Sequence, residues 1–167
     1  MKKIAIIGAG ISGLYIANLF KDNEDYQVTI YEKKSSIDID EGYGIQLSVN
    51  SVELLNKIGF ISLTEEEKFN PKKIDFYEIK NLKKICDLDI SKFNSEDCKY
   101  TTLKRSKLLK FLKKQINEDI IKYNHSIEQI DYDKDSIKLI FDKNNITCDY
   151  LIISDGVFSK GKLLISS

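Results

Sequence analysis

The sequence predicts a mixed α/β fold, with a nucleotide-binding βαβ unit at its start and an antiparallel excursion before a final buried strand. Three observations carry that reading. The continuous apolar run Ile4–Ile7 leads directly into GAGISG and a helical pattern, as expected of a strand buried on both faces that delivers a glycine turn. HSIEQIDY, DSIKLIFD and NITCDYLIIS are β-like segments divided by the turn-like DKD and DKNN, the layout of a meander. The last of these then runs into Tyr150–Ser154, an apolar stretch that stops at Asp155-Gly156.

Each element follows in chain order. After the glycines, a helix is expected over Ile11–Phe20, with Leu14, Ala17 and Asn18 on neighbouring turns. QVTIYE is the second strand and ends in Glu32. Strand, turn, helix and strand make a βαβ unit, for which a right-handed crossover is expected. KKSSIDIDEGYGIQL reads as a loop containing Gly42 and Gly44 that returns to a short extended piece. Asn50 and Glu53 have capping-box spacing, and VELLNKI continues as a helix that Gly59 stops. Pro71, the lone proline, precedes KIDFYEI and KKICDLDI, which read as a hairpin turning at Asn81. KYTTL is extended, and RSKLLKFLKKQI is an amphipathic helix, apolar at Leu108, Leu109, Leu112 and Ile116. In the meander, Ile137, Leu139 and Phe141 have the period of a half-buried strand.

Composition narrows the classes. The 167 residues fit about one domain, and a chain of that size buries roughly 70% of its unfolded surface. Lys and Arg number 26, as do Asp and Glu, so no net field draws nucleic acid or an anionic membrane. Cys86, Cys98 and Cys148 are scattered without a C-x-x-C, and His125 is the sole histidine. A zinc site is therefore not expected. Three isolated thiols fit a reducing, cytoplasmic setting and are expected to be small buried or half-buried side chains. Gly8, Gly10 and Gly13 interrupt the uncharged stretch Ile4–Phe20, which is shorter than the about 20 residues of a bilayer span. It reads as structure and not as a signal peptide.

Gly8, Gly10 and Gly13 form G-x-G-x-x-G between a strand and a helix, the context that gives this spacing meaning. Gly8 permits the tight turn, Gly10 lets the backbone approach a diphosphate, and Gly13 allows close helix–strand packing. Free N–H groups around Ile11 and Ser12 face the anion. Glu32 ends the second strand 19 positions after Gly13. A carboxylate there accepts hydrogen bonds from an adenosine ribose and repels a 2′-phosphate, which disfavours NADP at this turn. The motif alone leaves the dinucleotide open. Asp155-Gly156 alone reads as an ordinary turn after a strand, and Arg105, the only arginine, as a helix charge. No Ser-His-Asp or other nucleophile–base constellation is present, so no catalytic side chain is assigned.

IAIIGAGISGLYIANLF with VTIYEK, GYGIQLSVNSVELLNKIG, TTLKRSKLLKFL and YLIISDGVFSK occur in that order. Together, over essentially the whole chain, they resemble the N-terminal half of the FAD-dependent aromatic hydroxylases, the monooxygenase family of p-hydroxybenzoate, salicylate and ubiquinone-biosynthesis hydroxylases. The resemblance implies a Rossmann-like FAD-binding fold over residues 1–167, with the nucleotide-binding start at 1–32, the hairpin at about 72–90, and the meander and Asp-Gly strand at about 120–156. It implies that Gly8, Gly10, Ile11, Ser12 and Gly13 hold the FAD pyrophosphate and Glu32 the ribose. Lys33 would lie near the adenine end, Arg105 would reach the FAD, and Asp155 and Gly156 would lie near its pyrophosphate. Gln46 and Asn50 fall where the family approaches the flavin. Ser159 agrees with the family's D-G-x-x-S, whereas Lys162 stands where an arginine is usual.

The activity implied is hydroxylation of an aromatic or related small substrate with NAD(P)H and O2. Family members run to roughly twice this length, so a chain truncated before the substrate domain, with a complementary C-terminal chain as partner, is expected. Two other readings stay open: a non-catalytic dinucleotide-binding module, and another FAD- or NAD-dependent oxidoreductase with the same βαβ start.

Overall fold

The structure, a computed structural model, describes residues 1–39, 43–134 and 136–165. Gly42 of the predicted loop lies outside them, as do the two terminal serines. The elements begin with β1 (Lys2–Ile7), α1 (Ile11–Phe20), β2 (Tyr26–Glu32), β3 (Gly44–Leu47) and α2 (Val49–Asn56). β4 (Lys73–Tyr77), β5 (Lys84–Asp89), β6 (Thr101–Lys104) and α3 (Arg105–Lys114) follow. The chain continues through β7 (Ile121–Tyr123), β8 (Ile127–Tyr132), β9 (Ile137–Phe141), β10 (Asn145–Cys148) and β11 (Tyr150–Ile153) to α4 (Lys160–Ile165). Two compact units result, one of residues 1–39 with 109–167, the other of residues 40–108.

The first unit holds a four-stranded parallel sheet in the order β11-β1-β2-β7. Ile4, Ala5, Ile6 and Ile7 are all buried because β1 is central and covered on both faces. On one face Ala5, Ile7 and Tyr31 pack with Ile127, Ile130, Leu139, Phe141 and Cys148 of the antiparallel sheet β10-β9-β8. α1 packs on β1 and β2, burying Leu14, Ala17 and Asn18. Asn18 is a polar residue in that buried stripe. Its Nδ2 donates to Leu14 O and to Leu112 O, both at 2.9 Å, so one side chain ties α1 to the end of α3. Leu108, Leu109 and Leu112 are buried, the apolar stripe expected of that helix, whereas Ile116, expected on the same helix, is buried beyond its end at Lys114.

The second unit pairs β3 with β6 and β4 with β5, both antiparallel. The β4–β5 register places Ile74, Phe76, Cys86 and Leu88 on one face and Lys73, Asp75, Asp87 and Asp89 on the other. Asp75 accepts from Lys73 at 3.0 Å and from Lys84 at 2.9 Å on the charged face. Phe76 and Leu88 are each 47% exposed on the apolar one.

Four local expectations change. The N-cap position of α2 is Ser48, in extended conformation, and not Asn50. Asn50 instead sits in the first turn, where its Oδ1 accepts from the Ser48 hydroxyl. Cys86 is exposed, against the expectation of buried or half-buried thiols, because it lies on the uncovered face of a two-stranded sheet. NITCDYLIIS is two strands divided at Asp149: β10 pairs with β9, and β11 crosses to β1 at the end of the parallel sheet, where it is half-buried and not the buried final strand expected. β7, unforeseen in the sequence, is only three residues long and is defined by its parallel pairing with β2.

Candidate dinucleotide site

The site grows from the end of β1. Gly8 takes φ +100°, a conformation L side chains rarely adopt, and its N–H donates to Tyr31 O at 2.8 Å. Helical bonding then starts with Leu14 N donating to Gly10 O at 3.0 Å. The N–H groups preceding Leu14 are those a helix leaves without an intrahelical acceptor. The three glycines have different neighbours. A Cβ on Gly8 would lie 2.6 Å from Ser154 O, and one on Gly13 would lie 2.0 Å from Gly8 O and 2.8 Å from Ser154 Oγ. A Cβ on Gly10 would meet nothing within 4 Å. Gly8 and Gly13 are thus set by the protein's own packing, and Gly10 faces open space.

Glu32 closes the other side of the turn. Its Oε2 accepts from Ala9 N at 2.8 Å and its Oε1 from Lys34 N at 2.9 Å. The carboxylate therefore lies against the glycine turn, half-buried, with its orientation held from both oxygens. Behind it, His125 N donates to Glu32 O at 2.9 Å and Asn124 N to Lys34 O at 3.0 Å. The His125 ring lies 5.5 Å from those of Tyr31 and Phe141, and its Nδ1 is 2.8 Å from Tyr123 O. His125 is a packing residue. Burial pushes the Tyr31 phenol up from its ordinary value.

The third component comes from the far end of the chain. Ser154, Asp155, Gly156, Ser159 and Lys162 share an open groove of about 550 Å³ with Ser12 and Ile16 of α1. Asp155 is engaged within it: Oδ1 accepts from the Ser159 hydroxyl and Oδ2 from Gly161 N at 2.9 Å. In return, Lys162 N donates to Ser159 Oγ at 2.9 Å. Asp155 and Ser159 thus cap the start of α4.

Of the residues singled out in the sequence, Gly8, Gly10, Ile11, Ser12, Gly13 and Glu32 converge on one turn, with Asp155 and Gly156 on the groove beside it. Lys33 is exposed, next to Glu32. Arg105 opens α3, half-buried, its N–H donating to Tyr43 O at 3.0 Å. Gln46 accepts from the Tyr100 hydroxyl at 2.9 Å within the β3–β6 unit. Sequence reasoning missed Ser154. The signal was its place at the end of the last apolar run, one residue before Asp155-Gly156. Among the described residues no group of three or more His, Cys, Asp or Glu side chains could hold a metal ion, and no helix is long and apolar enough to cross a membrane.

Comparison with known proteins places this fold. The profile of the NAD(P)-binding Rossmann-like domain matches residues 6–37, which hold the glycine turn, α1, β2 and Glu32. No curated protein sequence matches the chain. Among solved structures, 2,6-dihydroxypyridine-3-hydroxylase from Arthrobacter nicotinovorans matches with a TM-score of 0.78 at 16% identity, over 98% of this chain and 39% of that one. HpxO from Klebsiella pneumoniae, complexed with FAD and uric acid, matches with a TM-score of 0.77 at 20% identity, over 95% of this chain and 40% of that one. The tetracycline destructase Tet(55) matches with a TM-score of 0.71 at 22% identity, over all of this chain and 41% of that one. The fold is therefore a Rossmann-like α/β fold with an antiparallel excursion, shared with these proteins. The chain spans about two fifths of the length of the structures it matches.

Proposed function

We propose that the chain is the FAD-binding part of a flavin-dependent monooxygenase, with the glycine turn holding the cofactor's diphosphate and Glu32 the adenosine ribose. The observation that carries this reading is the pairing of a Gly10 backbone facing open space with a carboxylate pinned beside it through Ala9 N. Each Glu32 oxygen accepts one backbone N–H and retains a further lone-pair site, so a ribose diol has acceptors on a carboxylate that is already oriented. The fold shared with FAD-complexed HpxO supports FAD as the dinucleotide.

In this reading Gly8, Gly10, Ile11, Ser12 and Gly13 surround the diphosphate, and Lys33 lies toward the adenine. Asp155 and Gly156 border the path of the cofactor, and Arg105 supplies a guanidinium suited to phosphate or ribityl oxygens. FAD, when bound, supplies the redox chemistry that couples NAD(P)H and O2 to hydroxylation of a small aromatic or related substrate. The chain's own residues bind and orient it. Because the chain spans about two fifths of the matched structures, hydroxylation is proposed for the whole protein, in the cytoplasm.

Titration of the purified chain with FAD tests the assignment, followed by flavin fluorescence and visible absorbance. Weak one-to-one binding, competed by ADP and without hydroxylation, is expected of the isolated chain. Binding of NAD with no binding of FAD would overturn it.

A further inference from the structure

We infer that Ser154 is the positioning residue of the glycine turn: its hydroxyl sets the turn's shape and through it the affinity for the dinucleotide. The inference rests on the diphosphate reading above and adds a residue to it. Ser154 follows β11, and its backbone N–H donates to Ile7 O at 2.8 Å, extending the β1–β11 pairing by one residue. The side chain turns back onto the same strand end. Oγ lies 2.9 Å from Ile7 O and 3.2 Å from Gly8 O, so one hydroxyl hydrogen is shared between two successive carbonyls. Those carbonyls flank the peptide whose φ is +100° at Gly8.

The same oxygen defines the approach of α1. The position a Gly13 Cβ would take is 2.8 Å from Ser154 Oγ and 2.0 Å from Gly8 O. The strand end, the helix start and the hydroxyl therefore meet at one point, with no room for a methyl group. Oγ is engaged on the protein side of the turn, whereas Gly10 faces open space on the ligand side. Ser154 acts through the turn.

The test compares wild type with Ser154→Ala, Ser154→Thr and Ser154→Val in the full chain. Thr and Val have nearly the same shape and differ in the hydroxyl, so packing damage moves both and loss of the hydrogen bond moves Val alone. FAD titration by flavin fluorescence is expected to weaken about three- to tenfold in Ala, the range for one lost hydrogen bond. Thr is expected to bind more tightly than Val by a similar factor. A second readout needs no ligand: in the free protein the amide resonances of Gly8 and Gly13 shift in Ala and Val and return toward wild type in Thr. Equal FAD affinities for Ala and wild type, or for Thr and Val, overturn the inference. If wild type binds no FAD, the diphosphate reading fails. The glycine resonances then decide the positioning role separately: unmoved in Ala, they overturn it too.

Discussion

Replacing Gly13 and Gly10 separately by alanine should divide the glycine motif into a part that serves the fold and a part that serves the ligand. At Gly13 the new methyl would lie 2.0 Å from the Gly8 carbonyl oxygen, 3.2 Å from its carbon and 2.8 Å from Ser154 Oγ. A comfortable contact lies beyond 3.4 Å, so about 1.4 Å must be found. The obstacle is backbone at the end of the central strand, and a rotamer change cannot clear it. α1 has to move off β1. Overpacking of this kind costs about 1–3 kcal/mol. A backbone contact at 2.0 Å sits at the upper end of that range, and alanine's helix propensity returns up to about 1 kcal/mol, which leaves a net loss of about 2 kcal/mol. At Gly10 a methyl meets nothing within 4 Å, and the backbone sits at φ −80°, open to any residue. The loss of a favoured N-cap glycine and the stiffening of the unfolded chain roughly cancel, so stability should hold within about 0.5 kcal/mol. Yet the methyl fills the space assigned to the diphosphate, and FAD affinity should fall at least about tenfold, which corresponds to 1.4 kcal/mol. Urea denaturation followed by circular dichroism, with flavin titration on the same preparations, measures both quantities. Gly13→Ala as stable as wild type would refute the packing reasoning. Gly10→Ala with undiminished FAD affinity would refute the ligand reasoning.

Two further outcomes are expected. Glu32→Ala removes the acceptor of two backbone N–H groups as well as the ribose contact. FAD affinity should fall ten- to hundredfold, about 1.5–3 kcal/mol, with a drop in urea midpoint that Glu32→Gln partly restores, and an unchanged titration curve would remove Glu32 from the site. The hairpin should loosen in acid, because hydrogen bonds from Lys84 and Lys73 hold the Asp75 carboxyl below its ordinary value. A depressed folded value means the contribution is complete above the ordinary carboxylate pKa and is lost as pH falls through the lower one. The protection factors of the Phe76 and Cys86 amides, whose strands bracket that ion pair, should therefore fall below about pH 4 and fall less in Asp75→Asn.

The legible parts of this protein were those with a local cause. Ile4–Ile7 could be read as a doubly covered strand because an unbroken apolar run has no solvent face to offer. Leu108, Leu109 and Leu112 could be assigned to one buried stripe because helical periodicity alone brings them together. The hairpin's turn at Asn81 was visible for a similar reason: Asn81 Oδ1 accepts from Lys83 N at 2.8 Å, two residues away. Where the cause was a distant partner, the reading failed. β7 is three residues that become a strand only against β2. Cys86 was expected to be buried or half-buried as an isolated thiol, and it is exposed because the described residues place no layer over its face of the hairpin.

The candidate site divides along the same line. The spacing of Gly8, Gly10 and Gly13, and a carboxylate at the end of the next strand, are properties of one continuous βαβ segment, so the amino-acid sequence determined them by itself. Only the tertiary structure showed that Gly13 is demanded by Ser154 and the Gly8 carbonyl, and that Asp155 caps α4. Parallel pairing of β11 with β1 joins residues almost 150 positions apart. No local pattern specifies which strand lies next to which, because that choice is made by burial across the whole sheet.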